Sequence, residues 1–293
     1  MKKASILFLF ILLFFLGDRL LSLILKELLK YSQLPIATLY SDRESPDIII
    51  LGNSRAMRHF DVKLIKEKTD KNISLIAFQA ASLKFLKVLL EDYKKKKGVP
   101  KKIIIELSSL SSGDEQIQTK KFLYFFSDDF KKLLREKYKF DYVTGSIFNL
   151  FFFNSIDFFN ILHKVLFRYE QKFLNTTITE NDIKKFKEKI YKPYFFIKNE
   201  NLESLLSIIK NNKGQSEIFL IVSPFHKSFL QKNIELKDTI FYLNQIVEVR
   251  SNLINLSESI NGDEFFSDVT HLNHNGAKEF TKKIIPIIFQ KNK

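Results

Sequence analysis

The predicted fold is decided by one stretch, Asp47-Ile48-Ile49-Ile50-Leu51-Gly52-Asn53-Ser54-Arg55. Its first half is an apolar run between Pro46 and Gly52, which is typical of a strand buried on both faces of a sheet. Gly52 and Asn53 can support a sharp turn after that strand. Ser54 then lies at the carboxyl end of the strand, where parallel α/β sheets place their active groups. The stretch therefore predicts a first strand that ends in a candidate serine nucleophile.

Four further apolar runs predict strands of the same sheet. These runs lie at 73–78, 102–107, 217–223 and 252–256. Segments with apolar residues at helical spacing alternate with them and lie at 61–71, 82–97 and 276–289. Strands that alternate with helices indicate an α/β domain with a parallel sheet of five strands.

A long interval at about 111–212 separates the third and fourth predicted strands and is rich in Phe and Lys. Its helical rhythm predicts a mostly helical insertion that covers the sheet edge or forms a lid over the site. The aromatic runs at 148–153 and 158–159 favour an ordinary hydrophobic core within this insertion. The alternative is an aromatic face that rests on a membrane or grips an acyl chain.

The N-terminal segment, residues 1–30, starts with two lysines and continues with an apolar run at 4–17. This run is shorter than the roughly 20 residues of a full membrane span. No small-x-small cleavage site follows it, and the apolar character resumes after Asp18 and Arg19. We therefore predict an uncleaved signal-anchor with a cytoplasmic N-terminus, which places the remainder on the extracytoplasmic, periplasmic side of the inner membrane. The alternative is a buried amphipathic helix of a soluble protein.

The predicted organisation is thus an anchor at 1–30, a connector at 31–46 and an α/β domain at 47–293 that contains the insertion. The chain has 293 residues, of which 45% are hydrophobic, so it can bury a sizeable core. The formal net charge of +14 suits nucleic acid, anionic lipid or an acidic polymer. However, the lysines are spread among acidic residues, and no nucleic-acid-binding motif is present, so we expect no nucleic-acid partner. The absence of cysteine excludes disulfides and thiolate chemistry.

A second stretch, Phe266-Ser267-Asp268-Val269-Thr270-His271-Leu272-Asn273, supplies a candidate base near the C-terminus. The spacing of three residues lets Asp268 reach Nδ1 of His271, which leaves Nε2 for Ser54. Each residue also has a simpler interpretation. Ser54 and Asp268 can be turn or cap residues, and His271 and His274 can be surface residues or a pair of metal ligands. Their positions on the first strand and the final loop favour the catalytic interpretation.

Two short blocks resemble the SGNH (GDSL-like) hydrolase superfamily. Gly52-Asn53-Ser54-Arg55 looks like its first block, and Asp268-Val269-Thr270-His271 looks like its last block. The resemblance covers roughly 47–110 and 215–285 and implies a three-layer α/β/α, flavodoxin-like fold. It also implies that Ser54 is the nucleophile, His271 the base and Asp268 its orienting carboxylate. With the N-terminal anchor, the blocks further resemble DltD-like and alginate-acetylation-type members, which are membrane-anchored polysaccharide O-acyltransferase-like proteins.

The sequence departs from the family at both oxyanion blocks. The glycine of the second block falls near Gln79-Ala80-Ala81-Ser82, and the asparagine of the third falls near Glu106-Leu107-Ser108-Ser109. Loss of such a side-chain donor costs about 2.7–4 kcal/mol of transition-state stabilisation. The expected oxyanion donors are backbone N–H groups of Ser54 and of Ala80 or Ala81, with a substitute third donor. The candidates for that substitute are Ser108, Ser109 and Arg55.

These features predict a membrane-anchored serine esterase or O-acyltransferase that acts on a cell-envelope glycan or teichoic-acid-like polymer through a seryl ester. The incomplete oxyanion set favours a slow, dedicated acyltransferase. The expected partners are membrane lipid, an anionic polysaccharide and a membrane-bound acyltransferase, and we expect no cofactor and no metal. The alternative is a non-catalytic envelope protein of the same fold that binds a glycan or a partner acyltransferase.

Overall fold

A computed structural model describes residues 2–30, 35–41, 45–166, 173–188, 196–247 and 251–289. Its α-helices are α1 (Lys2–Lys30), α2 (Pro35–Tyr40), α3 (Ser54–His59), α4 (Val62–Thr69), α5 (Leu83–Lys97), α6 (Asp128–Lys137), α7 (Lys139–Ile147), α8 (Ile156–Leu166), α9 (Glu180–Glu188), α10 (Asn199–Asn211), α11 (Lys227–Lys232), α12 (Glu235–Ile246) and α13 (His274–Phe289). Its strands are β1 (Ile48–Gly52), β2 (Ile73–Ala77), β3 (Lys102–Glu106), β4 (Glu217–Val222) and β5 (Ser251–Asn255). Short 3₁₀ helices span Leu107–Leu110, Asn149–Phe153 and Asp263–Phe265, and the 3₁₀ segment Glu115–Phe125 is interrupted by a kink at Lys120.

The five strands form one parallel sheet in the order β2-β1-β3-β4-β5. This is the flavodoxin-like order, in which the strand order reverses beside β1. The carboxyl end of β1 therefore lies at a switch point of the sheet, between its neighbours β2 and β3. Each predicted strand is present, and the α/β fold class is confirmed.

Helices cover both faces of the sheet, because successive side chains of a strand point to opposite faces. On one face, Ile48 and Ile50 of β1 belong to a buried cluster with Phe60, which directly follows α3, and with Phe280 and Ile284 of α13. On the other face, α5 packs against β1 and β2, and α10 packs against α5. The strand β1 is wholly apolar because both of its faces are buried. This gives the three-layer α/β/α arrangement expected from the sequence.

The chain divides into two compact units. One comprises the described residues of Met1–Arg43 and Glu115–Glu170, which form α1, α2, α6, α7, α8 and two of the 3₁₀ helices. The other comprises the described residues of Glu44–Asp114 and Gln171–Lys293 and contains the whole sheet. The predicted insertion at 111–212 is therefore shared between the units, since α10 belongs to the helical layer of the sheet. That the insertion covers the site or the sheet edge stays a prediction.

The N-terminal helix is continuous. Within α1, the segment Lys3–Lys30 reaches a mean hydropathy of 2.3, so the helix is long and apolar enough to cross a membrane or to act as a signal anchor. Asp18 and Arg19 do not interrupt it. The predicted side of the membrane stays a prediction.

Candidate active site

Ser54 is positioned by the junction of β1 and α3. It is the first residue of α3 and follows directly after Asn53, whose side-chain oxygen caps the helix by accepting from the Arg55 N–H at 2.9 Å. Gly52 is required because a Cβ there would lie 2.3 Å from the Ala56 Cβ. Any side chain at this position would push α3 away from the strand. The glycine thus serves the close approach of helix and strand, which places Ser54 directly at the strand end.

His271 lies in a tight loop, the histidine loop (266–272), which an isolated bridge between Phe266 and Leu272 closes shortly before α13 begins. The Asp268 carboxylate organises this loop. Its Oδ1 accepts from the Thr270 N–H at 2.7 Å, from the Thr270 hydroxyl at 2.8 Å and from the His271 N–H at 2.9 Å. The remaining oxygen, Oδ2, is left for the imidazole of His271. The spacing between Asp268 and His271 therefore builds a local turn that aims the carboxylate at the ring.

The structure brings Ser54, His271 and Asp268 together. The Ser54 Oγ lies 2.9 Å from Nε2 of His271, and Nδ1 of His271 lies 2.8 Å from Oδ2 of Asp268. Burial by itself raises the pKa of Asp268, but the hydrogen bonds from His271 and Thr270 and the charge on His271 outweigh it and hold the pKa well below its ordinary value. An ionised carboxylate only accepts hydrogen bonds, so Nδ1 carries the proton and Nε2 is free to accept from the serine hydroxyl.

Beneath this chain of contacts lies Arg55, which is fully buried. Its Nε lies 3.3 Å from the Glu106 carboxylate at the end of β3, and its Nη2 donates to the Ser223 carbonyl at 2.7 Å. Its Nη1 donates to the carbonyl of Thr270, in the histidine loop. The guanidinium also lies 3.5 Å from the centre of the Phe225 ring. Since its donors are committed in the interior, Arg55 does not offer the substitute oxyanion donor that the sequence suggested.

A second side chain of α3, that of His59, holds the same loop. The Leu272 N–H donates to Nε2 of His59 at 3.2 Å, and the rings of His59 and His271 meet edge to face with centroids 6.4 Å apart. Arg55 thus binds the residue before His271, and His59 binds the residue after it. Both holding contacts come from the helix that begins with Ser54, so one short helix positions nucleophile and base together.

We expect His59 to make the protein sensitive to mild acid. Burial lowers the pKa of His59 well below 6.5, and the charges of Arg55 and then His271 lower it further. Below about pH 6.5 the unfolded chain takes up a proton on His59 that the folded chain does not. The contribution of the neutral, buried His59 to the free energy of unfolding is therefore fully present above about pH 6.5 and is lost progressively as the pH falls below it. The slope is at most about 1.4 kcal/mol per pH unit.

The measurement is the thermal unfolding midpoint of wild type and His59→Gln between pH 7.5 and 5. His59→Gln should flatten the decline, whereas the matched variant of the exposed His163, His163→Gln, should retain it. Parallel curves for wild type and His59→Gln would show that another group carries the acid sensitivity.

Of the predicted oxyanion residues, Ala80 lies in the turn after β2, whereas the Ser108 hydroxyl is bonded in the protein interior. The turn after β2 lies beside Ser54, because the Phe78 N–H donates to the Gly52 carbonyl at 3.3 Å. In this turn Ala80 adopts a left-handed φ of 50°, the conformation that favours glycine. Ser108, by contrast, is buried, and its single hydroxyl proton lies between the carboxylate of Glu106 and the side-chain oxygen of Asn53. No proton of the Ser108 hydroxyl is therefore free for an oxyanion at Ser54.

Four residues that support the site were not identified from the sequence. They are His59, Glu106, Ser223 and His226. His226 caps α11, contacts Asp263 at 3.1 Å through Nε2, and donates its backbone N–H to the Val269 carbonyl in the histidine loop at 3.1 Å. Glu106 and Ser223 follow apolar runs at strand ends, which is the signal that could have found them. His59 carries no such local signal.

The metal alternative finds no support in the side-chain arrangement. His274 begins α13, and its ring meets the ring of Phe173 with centroids 5.4 Å apart. Within the described ranges, no group of three or more His, Asp or Glu side chains is placed to hold a metal ion.

No protein-family model matches the sequence, and no curated protein matches it. Solved structures with a similar fold include a protein from Streptococcus pneumonia provisionally described as a platelet activating factor, with 12% identity, coverage of 97% of this chain and 98% of that chain, and a TM-score of 0.44. A family two carbohydrate esterase from Clostridium thermocellum in complex with cellohexaose has 10% identity, coverage of 84% and 66%, and a TM-score of 0.36. An acetyl xylan esterase from the rumen bacterium Butyrivibrio proteoclasticus has 12% identity, coverage of 84% and 64%, and a TM-score of 0.33. The chain spans about two thirds of the length of these esterases. At such low identities and scores, the chemistry of the site follows from its own geometry alone.

Proposed function

We propose that the protein is a serine esterase or acyl-transferring enzyme of the SGNH type, with Ser54 as nucleophile, His271 as base and Asp268 as orienting carboxylate. The observation that carries this proposal is the hydrogen-bonded chain from Ser54 Oγ through His271 to Asp268, with contacts of 2.9 and 2.8 Å. A serine hydroxyl becomes an effective nucleophile when an adjacent base accepts its proton. The ionised Asp268 favours the imidazolium that forms on His271.

In the proposed reaction, Nε2 of His271 takes the Ser54 proton as Oγ attacks the acyl carbonyl. The carbonyl oxygen becomes an oxyanion, for which the backbone N–H groups of Ser54 and Ala80 are the proposed donors. The Ser54 N–H lies in the first turn of α3, where backbone donors lack an intrahelical partner. Collapse breaks the bond from the acyl carbon to the ester oxygen, which takes the proton from the His271 imidazolium and departs as an alcohol, and a seryl ester remains. Water or a second hydroxyl then gives its proton to His271 and attacks the seryl ester. The Ser54 oxygen takes this proton back as it leaves the acyl carbon.

The finer proposal concerns location and acceptor. We propose that α1 anchors the enzyme in the cell membrane, with the sheet-containing unit on the extracytoplasmic side, and that the acceptor is a hydroxyl of an envelope glycan or teichoic-acid-like polymer. The length and hydropathy of α1 support the anchor. The net charge of +14 favours an anionic polymer. A membrane-bound acyltransferase is the proposed source of the acyl group.

Labelling with a fluorophosphonate probe tests the catalytic proposal. The full chain in detergent should give a single adduct on Ser54 by mass spectrometry, because the probe requires an activated serine. Ser54→Ala should give none, and the control Ser207→Ala on α10 should label like wild type. Labelling that persists in Ser54→Ala would refute the assignment of the nucleophile.

One observation favours the non-catalytic alternative. The Ser108 hydroxyl donates to the buried Glu106 carboxylate and not toward Ser54. It leaves the oxyanion with backbone donors where the family has an additional side chain. Absence of labelling in folded wild-type protein would therefore support a binding role, in which the fold recognises a glycan or a partner acyltransferase. An activity assay on the same preparation distinguishes a slow enzyme from an inactive one.

A further inference from the structure

The unit that contains α1 buries several of its charged side chains. Four charged side chains lie in its interior, where each is 6% exposed or less; they are Asp18, Lys120, Lys121 and Asp141. The interior lysines are paired, Lys120 with Asp157 at 3.2 Å and Lys121 with Asp141 at 3.4 Å. Charged residues seldom become buried in water-soluble domains unless they are paired. Paired and inward-facing charges are also the arrangement that membrane-embedded segments use.

Large apolar side chains point outward from the same unit. On α7 the exposed residues include Phe140, Val143 and Ile147, which lie on one helical face at intervals of three and four residues. On α8 they include Ile156 and Phe159 at an interval of three. Phe140 is 75% exposed and Ile156 71% exposed. Monomeric proteins in water rarely present contiguous apolar surface of this kind without a partner.

Contacts with α1 fix the depth of this surface. The carboxylate of Asp18 accepts from the backbone N–H groups of Asn149 and Leu150 at 2.8 and 2.9 Å. Arg19 donates to the carbonyl of Ile147 at 3.0 Å, and the ring of Phe15 stacks on that of Phe148. The end of α7 and the 3₁₀ helix after it therefore lie level with residues 14–19 of α1.

The length of α1 then places this level inside the hydrocarbon. The uncharged residues 4–17 rise only about 21 Å at 1.5 Å per residue, which is short of the roughly 30 Å hydrocarbon core. Beyond Asp18 and Arg19, α1 again exposes Leu20, Leu21, Leu23 and Ile24. Residues 4–24 rise about 32 Å, which suffices. A spanning α1 therefore carries Asp18, Arg19 and the elements bonded to them into the bilayer.

We propose that α7, the 3₁₀ helix Asn149–Phe153 and the first half of α8 are embedded in the leaflet that surrounds residues 14–24 of α1. The lipid-facing side chains are Phe140, Val143, Ile147, Phe148, Ile156 and Phe159. The proposal rests on the membrane anchoring proposed above and not on the catalytic assignment. Lys139 at the start of α7 can snorkel to the headgroups, whereas Asn160 and His163 are exposed further along α8, where the helix leaves the hydrocarbon.

The charged side chains of Asp18 and Arg19 bond to backbone groups of the proposed embedded elements. The Asp18 carboxylate satisfies two backbone N–H groups at the start of the 3₁₀ helix, and Arg19 satisfies carbonyls at the end of α7. Backbone groups in hydrocarbon must be satisfied within the protein. The two charges thus join α1 to the embedded elements and allow non-helical backbone at membrane depth.

Spin labelling tests the proposal directly, since the chain has no cysteine and every introduced one is unique. The full chain is reconstituted alone into phosphatidylcholine–phosphatidylglycerol vesicles with a label at Phe140→Cys, Ile156→Cys, Leu9→Cys or Lys132→Cys. Leu9 reports the anchor, and Lys132 is an exposed charged residue of α6. Power saturation compares the accessibility of each label to oxygen, which concentrates in lipid, and to a water-soluble nickel chelate.

Labels at Phe140 and Ile156 should resemble Leu9, with oxygen access exceeding nickel access, while Lys132 should show the opposite order. If Phe140 and Ile156 resemble Lys132 while Leu9 stays lipid-exposed, the embedding is refuted and the anchor stands. If Leu9 is also in water, the anchoring premise itself fails. Labels shielded from both reagents would show that a second copy of the chain covers the surface, which also overturns the lipid assignment.

Discussion

Replacing His271 with alanine is expected to lower kcat for aryl-ester hydrolysis by about 10⁴- to 10⁶-fold. The Ser54 hydroxyl loses the base that lies 2.9 Å away and keeps its proton at neutral pH. Ser54→Ala should cause a loss of the same size, and the double variant should lose no more than either single variant, because nucleophile and base act as a unit. The measurement is the steady-state hydrolysis of an aryl acetate by the full chain in detergent.

His274→Ala is the matched control for this experiment. His274 is the other histidine that the sequence offered for a metal pair, and in the structure its ring meets Phe173. A triad mechanism predicts near wild-type activity for His274→Ala, whereas a shared metal site predicts parallel losses in both histidine variants. Activity of His271→Ala within tenfold of wild type would contradict the triad.

The sheet and the Asp–His loop were predictable because their signals are local. A strand buried on both faces is apolar along its centre, so the runs at 48–51 and 103–105 indicate their structure without knowledge of their neighbours. The spacing of Asp268 and His271 is likewise decided within one turn of chain. The meeting of that loop with Ser54 followed from a general rule, that parallel strands bring their carboxyl ends to one edge of the sheet.

The supporting contacts were not predictable because they join residues that are distant in sequence. In the sequence, Arg55 is one of the candidates for the third oxyanion donor. In the structure its guanidinium is buried and bonded to the Glu106 carboxylate and to the carbonyls of Ser223 and Thr270. No pattern in the sequence indicates these pairings. The sequence also did not predict that the insertion is divided between the two units. Helical periodicity shows that a segment has an apolar face, but it does not show which unit that face packs against.

The backbone of Ala80 shows how a turn can keep its geometry without the glycine that the resemblance implies. Its φ of 50° is the conformation that a glycine adopts at low cost and that costs an alanine roughly 1–2 kcal/mol. The turn after β2 thus retains a glycine-like path although the sequence has no glycine there. A residue type missing from a motif therefore does not by itself remove the backbone N–H that the motif supplies.

Arg55→Met is expected to destabilise the protein by about 3–5 kcal/mol, because it removes one partner of a buried charge pair and leaves Glu106 in the interior without its counter-charge. The carbonyls of Ser223 and Thr270 lose a donor at the same time. For a unit of this size the loss corresponds to a fall of about 6–20 °C in the thermal unfolding midpoint. Circular dichroism of the full chain in detergent measures it, with Arg58→Met on the same helix as the matched control.

A second variant separates the charge pair from simple loss of packing. In Arg55→Met combined with Glu106→Gln, no unpaired charge remains, so the midpoint should recover by several degrees relative to Arg55→Met alone. Catalysis should not recover with it. The Thr270 carbonyl still lacks the donor that holds the residue before His271, so the base is less well placed against Ser54 and kcat stays low while KM changes little. A double variant as unstable as Arg55→Met would show that the lost hydrogen bonds and packing of Arg55, and not the unpaired charge of Glu106, cause the instability.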